Sequence, residues 1–265
     1  MPSELVLHTL RERRRSTVAW ALGLAFLVAV ICAYWPSVRG SADVQNFVRD
    51  LPEGLRSVLG EADYTTATGF LAAELFSFMV PLLMLIAAVG IGARAVAGEE
   101  ERGTADLLFT APVSRTRILL AKAAGGTAAV ALLGLALFAA LAIGAPLAGM
   151  DDVSTGRIAQ ASLSTVLLAL VYGALALAVS CATGKRPLAI GVAAAAAVAA
   201  FLLTGLAPVV KSLDGWDRLS PWSWYDGADV LRFGIGIGDV ALLVGVAGAL
   251  LAVAAFALQR RDLSI

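Results

Sequence analysis

Six stretches of the chain run apolar without a charge at their centre: Thr17–Trp35, Leu71–Val96, Ile118–Ala145, Ile158–Ala182, Leu188–Val210 and Val240–Leu258. Each is rich in Leu, Val and Ala and is flanked by turn or charged residues. A run of about 20 such residues is long enough to cross the hydrocarbon core as a helix. The pattern therefore predicts an all-α polytopic membrane protein, one domain over residues 1–265 with six transmembrane helices. The second and third runs are long enough to tilt or to project beyond the bilayer.

The segments between the runs have patterns of their own. Residues 1–16 set Leu5, Leu7 and Leu10 against Arg11, Arg13, Arg14 and Arg15, an amphipathic helix suited to headgroups. In the 36–70 loop, Val44, Phe47, Val48 and Leu51 repeat at helical spacing, and Leu55, Val58 and Leu59 follow Pro52. Two short surface helices are expected there, as a lid on the bundle, a gate, or a docking site. The 211–239 loop carries Trp216, Trp222, Trp224 and Tyr225, which reads as an interfacial aromatic belt. In span five, Gly191 and the run Ala193–Ala197 offer a small-residue face for close packing.

Composition agrees with the pattern. The 265 residues are 59% hydrophobic and 15% charged, with mean hydropathy +0.84, whereas a soluble domain carries roughly a quarter charged residues. The formal net charge of zero conceals an asymmetry. With the N-terminus in the cytosol, that side holds Arg11, Arg13, Arg14, Arg15, Arg94, Arg102, Arg115, Arg117, Lys122, Lys185, Arg186, Arg260 and Arg261, against only seven acids. Basic excess marks the cytosolic face, so both termini are expected there. The first span has the basic start of a signal peptide, but its apolar run is longer than an h-region and no A-x-A site follows, so it is expected to be retained. Cys32 and Cys181 fall near opposite membrane surfaces, too far apart to be bridged.

Familiar catalytic and metal chemistry has little to work with. The single histidine, His8, precedes the first span. There is no HExxH and no Gly-x-Ser-x-Gly. At Gly184-Lys185 a phosphate loop would need Ser or Thr where Arg186 stands, and its leading glycine is missing. An ion-coupled carrier needs intramembrane charge. The one candidate is Glu74, near the outer boundary of span two, where it reads as an interfacial acid or as a contact for substrate or a second chain.

The polar segment 98–117 between spans two and three is the most informative. Arg94 marks the headgroup level and Glu99, Glu100 and Glu101 project beyond it. Gly103 relaxes the backbone, and Thr104 caps a new helix with Asp106 in its first turn. Pro112 ends that helix after about two turns by disfavouring helical geometry at Ala111. Thr104, Leu107 and Leu108 share one face. So short a helix is unstable alone in water, and Leu107, Leu108 and Phe109 need cover from lipid or protein. The spacing alone fits either a membrane-hugging loop or a knob for a cytosolic partner.

The residues Glu99, Glu100, Gly103, Thr104, Leu107, Leu108, Pro112, Val113, Ser114, Arg115 and Lys122 resemble the coupling segment of ATP-binding-cassette (ABC) type-2 permeases, in the small single-core form. The resemblance extends over the chain through the six spans, the basic LRERRR start and the closing Arg260-Arg261-Asp262. The triple glutamate leaves the register of the family's glutamate ambiguous by one position. What the resemblance implies is an exporter subunit in the cell membrane, paired with a second permease chain, identical or different. A separate cytosolic ATPase would use ATP and magnesium, while this chain binds no cofactor and no nucleic acid and catalyses no reaction itself. Glu99 to Thr110, with Pro112 and Arg115, would dock that ATPase. The 211–239 loop would re-enter near the exit, with Glu74, Trp222, Trp224 and Tyr225 as candidate pathway or outer-gate residues. A non-transporting scaffold or immunity protein on the same fold is the alternative, and an ion-coupled transporter a more distant one.

Overall fold

The computed structural model describes residues 2–39, 66–101, 114–213, 215–225 and 227–260, and among these no strand occurs. Every apolar run is a helix, the conformation that satisfies all backbone polar groups within one segment. Span one is the apolar part, Arg14–Val38, of a helix that starts at Pro2. The others are Ala67–Arg94, Arg115–Leu147, Thr155–Thr183, Arg186–Leu206 and Ile237–Arg260. Their ends lie within about one turn of those read from the sequence. Span five stops at Leu206, ahead of the expected Val210, because Pro208 has no N–H to extend the hydrogen-bond ladder. The two surface helices expected within 36–70, and the segment Arg102–Val113, lie outside the described residues.

Span four is the hub. Its most apolar window is 67% buried, against 22% for spans one and five and 11% for span six. Spans two and four touch backbone to backbone: a Cβ on Gly92 would overlap the Gly173 carbonyl oxygen, and one on Gly173 would sit 3.2 Å from that of Ala88. Glycines at such crossings let helices approach closely. Span one packs on span three around Leu24, Val28, Leu137 and Leu141, with the Trp35 ring tilted 42° against Phe70 of span two at a centroid distance of 5.1 Å. On span five, Ala189, Ala193 and Ala197 are buried against span four, whereas Gly191 faces open space. Both cysteines are buried.

Six alternating spans bring the end of span two, the start of span three and the end of span six together at one end of the bundle, called basal here. Two contacts tie that end: Arg115 Nη1 donates to the Leu258 carbonyl at 3.4 Å, and Gln259 Nε2 to Thr116 Oγ1 at 3.0 Å.

Candidate functional site

The basal site begins with a defect in span two. Its helix runs to Arg94, bends at Ala95 and Val96, and resumes as a five-residue acidic helix, Ala97–Glu101. In a continuous helix the Ala97 amide would donate to the Ala93 carbonyl. Here the Ser180 hydroxyl of span four stands between them, accepting from Ala97 N at 3.0 Å and donating to Ala93 O at 3.1 Å. A side chain inserted into the ladder is a sufficient cause of a kink. Ser180 is fully buried, so no water competes for either bond.

Beyond the kink, the acidic helix is fastened to two more spans. Glu99 accepts from Lys122 Nζ of span three at 2.7 Å, with both side chains largely shielded from solvent. Glu101 lies 3.7 Å from Arg186 of span five, in a more exposed pair. Glu100 is partly buried. Arg115, where the chain returns, is bonded to span six as described above. Of the proposed coupling residues, the structure thus places Glu99, Glu100, Glu101 and Arg115 at the basal end, while Gly103, Thr104, Leu107, Leu108, Phe109 and Pro112 lie outside the described residues.

A cavity of about 620 Å³ opens beside this end, between spans one, two, three and five. Its basal wall carries Arg94, Glu99, Glu101, Lys122 and Arg186, and its deeper wall Trp20, Leu82, Ile86, Leu133, Ile190 and Val198. The volume falls within the range of small-molecule sites.

At the opposite end, residues 72–79 of span two form a π-helix that contains Glu74. Stretches with i→i−5 bonding are rare and cluster at functional sites. Glu74 is partly buried there. The short helix Pro221–Tyr225 wedges in between spans: Tyr225 OH donates to the Phe76 carbonyl of the π-helix at 2.7 Å, and Ser164 Oγ of span four donates to the Tyr225 carbonyl at 2.8 Å. Trp222 Nε1 donates to the Ala197 carbonyl of span five at 3.1 Å. Phe78, Phe201, Trp222 and Tyr225 form a chain of ring contacts with centroids 5.0–5.9 Å apart. Of the aromatics read as a belt, Trp216 is exposed, whereas Trp222 and Tyr225 are buried. Trp224 is partly buried, with its Nε1 donating to the Arg218 carbonyl at 2.8 Å. The structure brings Trp222 and Tyr225 together; it sets Tyr225 against the π-helix that carries Glu74.

The sequence reading missed Ser180, the π-helix and the cavity. Ser180 left no signal, since a lone serine in an apolar helix usually bonds its own backbone.

The family described as "ABC-2 family transporter protein" matches residues 4–263. The chain is also similar to the "Probable ABC transporter permease protein NosY" of Pseudomonas aeruginosa, with 33% identity over 138 residues. That alignment covers 50% of this chain and 48% of the relative, so the chain spans about half the length of the curated relative it matches.

Proposed function

The chain belongs to the ABC-2 transporter family, matched from residue 4 to residue 263, and on that premise we propose that it is the membrane permease subunit of an ABC exporter. Two permease chains, identical or different, form the pathway, and a separate cytosolic ATPase drives them. The basal end faces the cytosol, a reading supported by the positive residues gathered there, among them Arg94, Arg115, Arg117, Lys122, Lys185 and Arg186.

The observation that carries the reading is the anchoring of one five-residue acidic helix to three spans at once. Ser180 joins its start to span four, Glu99 joins it to span three, and Glu101 to span five. The adjoining segment, with Gly103, Thr104, Leu107, Leu108, Phe109 and Pro112, docks the ATPase, and Arg115, at the start of span three, is bonded to span six. A displacement of that segment by nucleotide-driven closure of the ATPase reaches spans two to six through these bonds. The free energy comes from the partner's ATP and magnesium, and the permease contributes two conformations that the partner binds unequally. Tyr225 and Trp222 hold the outer helix against spans two, four and five, where Glu74 and Trp224 stand beside the exit.

The test is co-purification with the ATPase encoded beside this chain, comparing wild type with Leu108→Asp. Loss of the complex and of stimulated ATP turnover is expected. Unchanged assembly and turnover would overturn the docking surface.

A further inference from the structure

The 620 Å³ cavity has a charged end and an oily end, and among the described residues its charges do not balance. Three cations and two acids line the basal wall. Lys122 is neutralised by Glu99 at 2.7 Å and Arg186 faces Glu101 at 3.7 Å. Arg94 has no acid within reach among the described residues: its bond is from Nε to the Gly90 carbonyl of its own helix at 3.1 Å. That bond lays the side chain along span two and leaves both terminal nitrogens without a protein acceptor among the described residues. A second donor without an acceptor among the described residues lies in the same wall, the buried Nε of Arg186. The described residues of this wall therefore offer more hydrogen-bond donors and positive charge than they absorb among themselves.

Between Arg94 and Leu82 the cavity follows span two for about 18 Å at 1.5 Å per residue. Its walls there are Trp20, Leu82, Ile86, Ile190 and Val198. A hydrophilic solute would leave its shell against hydrocarbon in this half. A wholly apolar one would leave the guanidinium of Arg94, an exposed side chain, to water alone. Only a molecule with an anionic head and an apolar tail matches both ends, with its head at the basal level.

We infer that this cavity binds an anionic amphiphile from the membrane leaflet at the basal end, its head on Arg94 and its tail along spans one, two and five. Arg suits this role because its planar fork holds carboxylate or phosphate oxygens in pairs. That the amphiphile represents the transported class rests on the permease reading above. The binding itself is measured without nucleotide or ATPase, so its failure leaves the docking surface standing.

Trp20 in the cavity wall supplies the readout. The full chain in lipid nanodiscs would be titrated with phosphatidylglycerol or phosphatidylcholine carrying brominated acyl chains, which quench neighbouring indoles. The Trp20 signal is the difference between wild type and Trp20→Phe. Brominated phosphatidylglycerol is expected to quench it at about tenfold lower mole fraction, the value of one charge-assisted contact. Arg94→Gln should abolish the preference, Arg94→Lys, which keeps the charge and loses the paired donors, should keep part of it, and Arg117→Gln, a basal cation outside the cavity, should leave it intact. The inference fails if the two lipids quench Trp20 equally, if Arg94→Gln retains the preference, or if Arg94→Lys loses it as fully as Arg94→Gln. It also fails if neither lipid reaches Trp20 because a second copy of the chain seals the cavity.

Discussion

Replacing Ser180 with alanine removes one oxygen and leaves two backbone groups behind, the Ala97 amide and the Ala93 carbonyl. Both could be rejoined only by straightening the kink. That would swing Glu99 off Lys122 and Glu101 off Arg186, so the break is expected to persist with both groups unpaired. A buried orphan costs about 1–3 kcal/mol in a soluble core. Hydrogen bonds between membrane helices are worth less, about 0.6 kcal/mol on average. Ser180 is fully buried yet close to the basal end, which puts the expected loss between these limits, at about 1–3 kcal/mol for the pair. For a chain of this size each kcal/mol lowers the midpoint by roughly 2–4 °C. The control lies on the same helix: Ser162 is also buried, but its hydroxyl has no partner among the described residues. Ser162→Ala is therefore expected to be neutral or stabilising. Thermal unfolding of the detergent-solubilised protein, followed by tryptophan fluorescence, compares the two. A Ser180→Ala midpoint equal to wild type, or an equal drop in both variants, would refute the assignment of the kink to Ser180.

Three further outcomes follow from the same geometry. Gly92→Val should abolish folding or cost at least ~3 kcal/mol, since its Cβ would overlap the Gly173 carbonyl, whereas Gly191→Val in open space should be close to neutral in expression and melting. Tyr225→Phe, which loses only the hydroxyl bonded to Phe76 O, should cost about 1–2 kcal/mol in the same melting assay while preserving the ring contacts with Trp222. A double-mutant cycle on Lys122 and Glu99 should give a coupling of about 1–2 kcal/mol, and one on Arg186 and Glu101 less than about 0.5 kcal/mol, because the first pair is shorter and better shielded.

The six helices were legible because hydrocarbon imposes a length and an absence of charge that no soluble helix needs to satisfy. What the runs could not reveal is how they pair. Gly92 and Gly173 are two of many small residues in an Ala- and Gly-rich chain, and only the crossing of spans two and four distinguishes them from Gly191. The Ser180 bridge joins residues 83 and 87 positions apart, beyond any local pattern. The π-helix at 72–79 has the same apolar composition as an ordinary helix, and its bond from Tyr225 comes from 149 positions away. Tryptophan and tyrosine suit membrane interfaces and wet-edged cores alike, so the sequence could not tell the exposed Trp216 from Trp222, which is buried. Span two was closer to legible: the sequence ends it at Val96, with Arg94 at the headgroup level, and the helix ends at Arg94.

The most direct test of the account is the side of the membrane on which the 98–117 segment lies. Cys32 and Cys181 are buried, so a thiol introduced as Ala105→Cys would be the reactive one for a membrane-impermeant maleimide. The account predicts no labelling in intact cells, labelling in inverted vesicles stripped of the ATPase, and protection when the ATPase is restored. Labelling of intact cells would contradict it.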